Sequence, residues 1–241
     1  MADIAYNSTR YLSIYTDSPL SIRMNFLVRI MNRFRTCSRQ LKLDSFFEVT
    51  HPEYGDRVLD IGGGWGLFLQ AFLERGLQAI VVDVDLASLH SIRAHHPGVP
   101  LVLASGTDLP FKDNAFQSVF SNAVIEHVGR WAAQTRFASE VGRVGRSYFV
   151  CTPNKLFPFE FHYGLPAYQF VPRPVQRFLV KHCRLGLWYD RERWEDIRLL
   201  TRRQLARLFP GGKVLGLRVT FMSETLIAVK SAGLRKKNQH D

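Results

Sequence analysis

Residues 58–66, VLDIGGGWG, carry glycine at every second position, Gly62, Gly64 and Gly66, straight after an apolar, β-prone run that contains Asp60. Glycines so placed remove the Cβ atoms that would hold backbone away from a ligand, so the chemistry on offer here is close binding of a small molecule. Leu67, Phe68, Ala71, Phe72 and Leu73 then recur at helical spacing. A helix therefore starts after the loop and turns its electropositive N-terminal end toward whatever the loop holds. The three cysteines, Cys37, Cys151 and Cys183, are widely separated and lack CxxC spacing. Neither a disulfide framework nor a metal ligand set is read from them, and a reduced cytosolic setting is expected.

A binding loop of this kind needs a scaffold. Strand patterns over 58–61, 79–83, 101–104, 118–121 and 147–151 are separated by helical ones from the loop to about 75, over 86–95 and over 134–141. Such a βαβ series predicts a mostly parallel sheet with helices on both faces and ligands outside the carboxyl ends of the strands. Pro153, Pro158, Pro166, Pro172 and Pro174 preclude one continuous helix after the fifth strand, so 152–195 reads as an inserted lid. Thr201 with Gln204 makes a capping box for a short helix. Closing strands are expected over 214–220 and 226–230, and a disordered tail over 233–241. Before the sheet, 1–50 reads as a helical extension. Its segment 21–42 spaces Ile22, Phe26, Ile30 and Phe34 four apart opposite a basic face, which is either a solvated outer surface or a membrane-binding or anion-steering one.

At 241 residues, 46% hydrophobic, the chain suits one α/β domain, 51–232, with additions. No apolar run approaches the ~20 residues that span a bilayer. The start, MADIAYNSTR, lacks the basic and apolar regions of a signal peptide, so a soluble, cytoplasmic protein is expected. The formal charge of +11 and pI near 9.9 imply an anionic partner: nucleic acid, a membrane surface, or an acidic substrate.

The loop spacing separates two classes of cofactor. A dinucleotide fingerprint, GxGxxG, would need glycine at Leu67, whereas the chain has GxGxG with Asp60 two residues before it. In this the chain resembles class I S-adenosylmethionine-dependent methyltransferases. The resemblance continues through VVDVDLASL and, most specifically, through ASGTDLPFKDNAFQSVFSNAVIEHV, which is similar to the family's "gDaxxLPFpdxsFDxVxxxxvLEHv". It implies a Rossmann-like, doubly wound, seven-stranded sheet whose last strand is antiparallel. It also implies that Asp60, Gly62, Gly63, Gly64, Gly66, Asp83, Val84, Ser105, Gly106, Thr107 and Asn122 hold S-adenosyl-L-methionine. Asp83 falls at the ribose-binding position, and Asp85 at the helix-capping one. Ser105 stands where many members have an Asp that accepts from the adenine amino group, a loss on the order of 1.5–3 kcal/mol unless the hydroxyl or nearby backbone compensates. Gln117 replaces a second Asp, and Ser121 with Asn122 should lie near the methionine moiety. Trp65 either stacks on the cofactor or covers the first helix, with cover preferred.

For a hydroxyl acceptor a base must reach the mouth of the site. TPNKLFPFEFHYGLP in the lid supplies Asn154, Glu160, His162 and Tyr163, and is similar to the "PNxxFPxExHxxLP" loop of a bacterial subgroup associated with glycans, lipids and other metabolites. His162 as base, with Glu160 orienting it or binding substrate, is the preferred catalytic pair. A structural lock of the loop by the same two residues stays open, as does His127 as base. The lid aromatics Phe157, Phe159, Phe161, Tyr163, Tyr168 and Phe170 either line a pocket or merely pack. The expected reaction is O-methylation of a small-molecule, glycan or lipid-linked acceptor. With Arg173, Arg177, Lys181 and Arg184 beside aromatics, that work is placed at the inner face of the membrane. Nucleic acid is disfavoured as a partner because Ser121-Asn122-Ala123-Val124 is not an Asn/Asp-Pro-Pro-aromatic grip and Cys151-Thr152-Pro153 lacks Pro-Cys order. A non-catalytic, cofactor-fold subunit is the remaining alternative.

Overall fold

The computed structural model describes residues 19–160, 162–183 and 196–231, with side chains from residue 33 and without those of 181–183. The expected tail, Phe161, Arg184 and the side chains of Lys181 and Cys183 lie outside the described residues. The chain divides into units 1–41 and 42–241. In the first, residues 19–41 are helical, as part of α1 (Pro19–Thr50). A single helix, longer than the expected segment, thus runs into the second unit. Among the described residues no helix is long and apolar enough to cross a membrane.

In the second unit, strands β1 (Arg57–Ile61), β2 (Gln78–Asp83), β3 (Leu101–Leu103), β4 (Phe116–Asn122), β5 (Gly145–Pro153), β8 (Lys213–Leu217) and β9 (Thr225–Lys230) form a seven-stranded sheet. Two further strands, β6 (Phe159–Glu160) and β7 (Leu165–Pro166), make a small hairpin of their own. The sheet order is β3-β2-β1-β4-β5-β9-β8, parallel through β5, with β9 antiparallel to both its neighbours. The crossovers are α2 (Leu69–Glu74), α3 (Leu86–His95) and α4 (Trp131–Val144), followed by α5 (Arg173–Cys183) in the lid and α6 (Arg202–Leu208). The expected doubly wound sheet with an antiparallel last strand is what forms.

The two-residue period of each strand divides the core into two layers. Leu59, Ile61, Val119, Tyr148, Val150, Leu226 and Ala228 face α4 and α6. Val58, Phe120, Phe149, Cys151, Ile227 and Val229 face α2, α3 and the end of α1. On this second face Phe46 is fully buried, its ring 5.3 Å from Phe120, 5.4 Å from Phe72 and 5.8 Å from Phe149. Burial of one such ring contributes about 1.5–3 kcal/mol, which ties the end of α1 to the sheet.

The caps follow local chemistry. Asp85 accepts from the backbone N–H groups of Ala87 and Ser88 at the start of α3, and Thr201 and Gln204 form the reciprocal box that starts α6. Elsewhere the bounds shift from those expected. α2 begins at Leu69 because Gly66 N–H donates to Gly63 O and Leu69 N–H to Gly66 O, winding turns first. β8 ends at Leu217 because Val219 N–H turns to the buried Glu224 carboxylate. The described residues of the expected lid form hairpin β6–β7, a 3-10 turn over Tyr168–Phe170, and α5, so the prolines interrupt the chain without excluding a helix after Pro172.

Candidate active site

At the carboxyl ends of β1, β2 and β4, a cavity of about 400 Å³ is bounded by Gly62, Asp83, Val84, Ser105, Ala123 and His127, among others. Gly62 closes the turn, with φ of +69° and its N–H donating to Val82 O at 2.7 Å. A Cβ there would lie 2.2 Å from Val124 Cγ2, and one on Gly63 would lie 2.6 Å from Val81 Cγ1 and 2.9 Å from Asp60 Oδ2. Close packing beneath the loop therefore demands glycine. Asp83 is fixed from both sides: Oδ2 accepts from Gly64 N–H at 2.8 Å and Oδ1 from Asp85 N–H at 2.9 Å. An ionised carboxylate retains further acceptor sites after these two bonds. Gly66 lies outside this lining and packs toward Ile92, and Trp65 is 54% exposed and also outside it.

The other residues picked out above fall in three groups. Ser105 and Gly106 line the cavity. The Ser105 hydroxyl bonds that of Thr107 at 2.8 Å, and a Cβ on Gly106 would strike Phe137 at 2.7 Å. Ser121 is instead buried, donating to Ile61 O, and Asn122 Oδ1 accepts from Lys42 Nζ at 2.9 Å. The backbone then turns at Ala123, φ +57°, and it is Ala123 and Val124 that face the cavity. Gln117 sits at the opposite end of β4, where its Oε1 accepts from Arg57 N–H, so its replacement of Asp is remote from the cavity. Cys151 is buried mid-sheet and its thiol is pushed up to about 12, mainly by burial.

Beside the cavity, the lid brings Glu160 and His162 to the turn after β4. His162 Nδ1 donates to Glu160 Oε1 at 2.6 Å, Glu160 Oε2 accepts from Tyr163 N–H at 2.7 Å, and the His162 ring packs edge-on against His127 at 5.0 Å. Glu126, which sequence reasoning passed over, is fully buried behind them. Its Oε2 accepts from Thr152 Oγ1 at 2.9 Å, while Oε1 makes no hydrogen bond and lies 3.8 Å from His162 Nε2. A carboxylate inside the apolar run VIEHV was the available signal. On the far side of Glu160 a second cavity, about 360 Å³, is lined by Trp131, Lys155, Tyr163, Tyr168, Arg173 and Arg198, among others. Tyr168 is locked, its hydroxyl donating to Gln176 O.

Residues 59–148, which contain the loop, the acidic strand end and the IEHV turn, match a family model described as "Methyltransferase domain". This stretch of the chain is similar to that methyltransferase domain. A protein named as an uncharacterized methyltransferase from Mycobacterium sp. (strain JLS) is 38% identical over 137 residues, covering 53% of this chain and 51% of that one. The chain thus spans about half the length of the curated relatives it matches. Among solved structures, the PH0226 protein of Pyrococcus horikoshii OT3 superposes with a TM-score of 0.57 at 15% identity, over 80% of this chain and 89% of that one. A SAM-dependent methyltransferase from Methanosarcina mazei gives 0.52 at 17% identity, over 74% and 92%. At such identities the likeness shows the fold.

Among the described residues Asp60 is the most perturbed carboxyl. It is 1% exposed, its Oδ2 accepts no hydrogen bond, and it is pushed up to about 7, first by burial and then by Asp83. From the ordinary 3.8 up to about 7, the folded state holds a proton that the unfolded chain has released. Stability therefore falls as pH rises through that window, by at most ~4 kcal/mol, and the whole penalty stands above it. Asp60→Asn should accordingly melt higher than the parent at pH 8 without cofactor, with the gain shrinking toward pH 4. Equal melting offsets at both pH values in calorimetry would show that Asp60 is not strained.

Proposed function

We propose that the chain transfers a methyl group from S-adenosylmethionine to a hydroxyl of an anionic acceptor, with the cofactor in the loop cavity and the acceptor in the lid cavity. The observation that carries this reading is the His162–Glu160 pair standing between the two cavities: His162 packs on His127, which lines one, and Glu160 lines the other. The bound cofactor supplies a methyl group already activated on a sulfonium, so the protein's work is alignment, exclusion of water and removal of one proton. Fit to the cofactor rests on the open cavity that Gly62 and Asp83 line at the strand ends, and on the orphaned Asp60 Oδ2, a buried acceptor suited to an ammonium group. Asp83 would receive the ribose hydroxyls on the lone pairs its two backbone bonds leave, and Val84, Ser105, Gly106 and Thr107 would hold the adenine. Gly64 and Gly66 act by shaping the loop, and Lys42 holds Asn122 at the end of β4. Glu160 fixes the His162 tautomer with Nδ1 protonated, so that Nε2 is the nitrogen that would take the acceptor proton.

The acceptor class follows from charge in the lid. Arg173 is held below the usual guanidinium range, first by burial and then by Arg198 and Arg130, which crowd positive charge around it, with Asp196 paired to both Arg173 and Arg198. An acidic small molecule, glycan or lipid-linked acceptor relieves that crowding. Exposed Phe170, Val175 and Phe178 beside Arg177 suit work on a membrane surface. The test is transfer of labelled methyl to hydroxyl acceptors with and without a carboxylate or phosphate, free and in anionic vesicles at low salt. Arg173→Ala should raise KM for the anionic acceptor about tenfold with kcat little changed, as loss of one charged contact predicts. Preference for neutral acceptors, or no co-sedimentation with vesicles, would count against the corresponding part of the reading.

A further inference from the structure

We infer that Glu126, His127 and His162 form a binding site for a divalent transition-metal ion of the zinc class. One ligand atom from each comes within 4.8 Å of the others, two imidazole nitrogens and one carboxylate oxygen. That donor set, borderline in softness, is the one that holds zinc with positions left open. Two independent features aim it at a cation. The first is Glu126 itself, fully buried, anchored through Oε2 by Thr152, with Oε1 unbonded and turned to His162 Nε2. The second is the orientation of His162. Because Nδ1 donates to Glu160, a neutral ring presents the Nε2 lone pair to the Glu126 carboxylate, two electron-rich atoms facing each other at 3.8 Å. A cation between them turns that opposition into coordination. The Glu160–His162 bond then becomes the carboxylate–imidazole support that usually backs a metal-bound histidine. Ligand bonds of ~2.0–2.2 Å need donors about 3.3–3.5 Å apart, so the Glu126–His162 pair is nearly closed and exposed His127 moves to complete it.

This site shares His162 with the proposed reaction but does not depend on it. An ion on Nε2 occupies the lone pair that proton removal needs, so loading the site should inhibit transfer through His162. The deciding experiment is calorimetric titration of the full chain with ZnCl₂ in the absence of cofactor, with MgCl₂ as the hard-cation comparison. One equivalent of Zn²⁺ should bind and Mg²⁺ should not. Glu126→Gln, which keeps the acceptor for Thr152, should weaken Zn²⁺ by about 10–100-fold. His127→Ala, at an exposed position, should do likewise if the buried change harms folding. A double change of His95 and His96 to Ala should leave binding intact. Zn²⁺ affinity unchanged in Glu126→Gln and His127→Ala, affinity lost with His95 and His96, or no binding at all would overturn the site. The last result would point instead to an imidazolium held between Glu126 and Glu160. Because the readout is metal binding alone, failure of the methyl-transfer reading would be seen separately.

Discussion

His162→Asn should slow methyl transfer by ~10²–10⁴-fold while leaving cofactor affinity within about twofold, since a positioned base contributes that much and the imidazole lies outside the loop cavity. The loss corresponds to ~3–5 kcal/mol of transition-state stabilisation. Asn is chosen because it still donates toward Glu160, keeping the bond that now joins Nδ1 and Oε1 at 2.6 Å. If His162 serves only to lock the lid, Asn preserves the lock and most of the rate. A base leaves a second mark: the acid limb of the pH–rate profile should disappear with the imidazole. Glu160→Gln should give a milder kcat loss, since the glutamine oxygen can still receive Nδ1–H but without charge. Stopped-turnover rates with labelled cofactor over a pH series check all three outcomes. A variant with near-parental rate and an unchanged profile would remove His162 from the chemistry.

Asp83→Ala should lower S-adenosylmethionine affinity by about 100-fold or more. On the proposed reading two charge-assisted bonds to the ribose go with the carboxylate, each worth about 1.5–3 kcal/mol. The two backbone bonds that Asp83 accepts from Gly64 and Asp85 go with them, so the loop loses the carboxylate that holds it open. The fold should survive, because α3 keeps its own cap at Asp85 and β2 keeps its pairing on both sides. Calorimetry with the variant reads the affinity, and an unchanged melting profile certifies the fold. Binding within threefold of the parent would mean that the ribose is held elsewhere.

What the sequence made legible was what local chemistry dictates. The alternation of strands and helices, the turn at Gly62, the Asp85 cap and the Thr201–Gln204 box each depend on residues a few positions apart, and each stands in the structure. Asp83, two residues before that cap, turns its carboxylate to the N–H groups of Gly64 and Asp85. Roles that depend on distant partners could not be read from the sequence. Glu126 matters because Thr152 and His162 arrive at it from 26 and 36 residues away, an encounter made by β5 and the lid. Asn122 turns to Lys42, 80 residues earlier, and Gln117 clips β1 at the end of the sheet remote from the cavity. The basic character of the lid was visible, but its focus on Arg173 required Arg130 and Arg198 to converge from separate segments.

The most direct test of the account is calorimetric titration of the unaltered chain with S-adenosylhomocysteine, the demethylated form of the cofactor, which binds without turnover. The account predicts one site per chain with micromolar affinity, strengthening as pH rises through about 7, where Asp60 releases its proton to meet the ligand's ammonium group. No heat and no shift in melting temperature at millimolar ligand would contradict it, and would leave a methyltransferase fold serving some purpose other than methyl transfer.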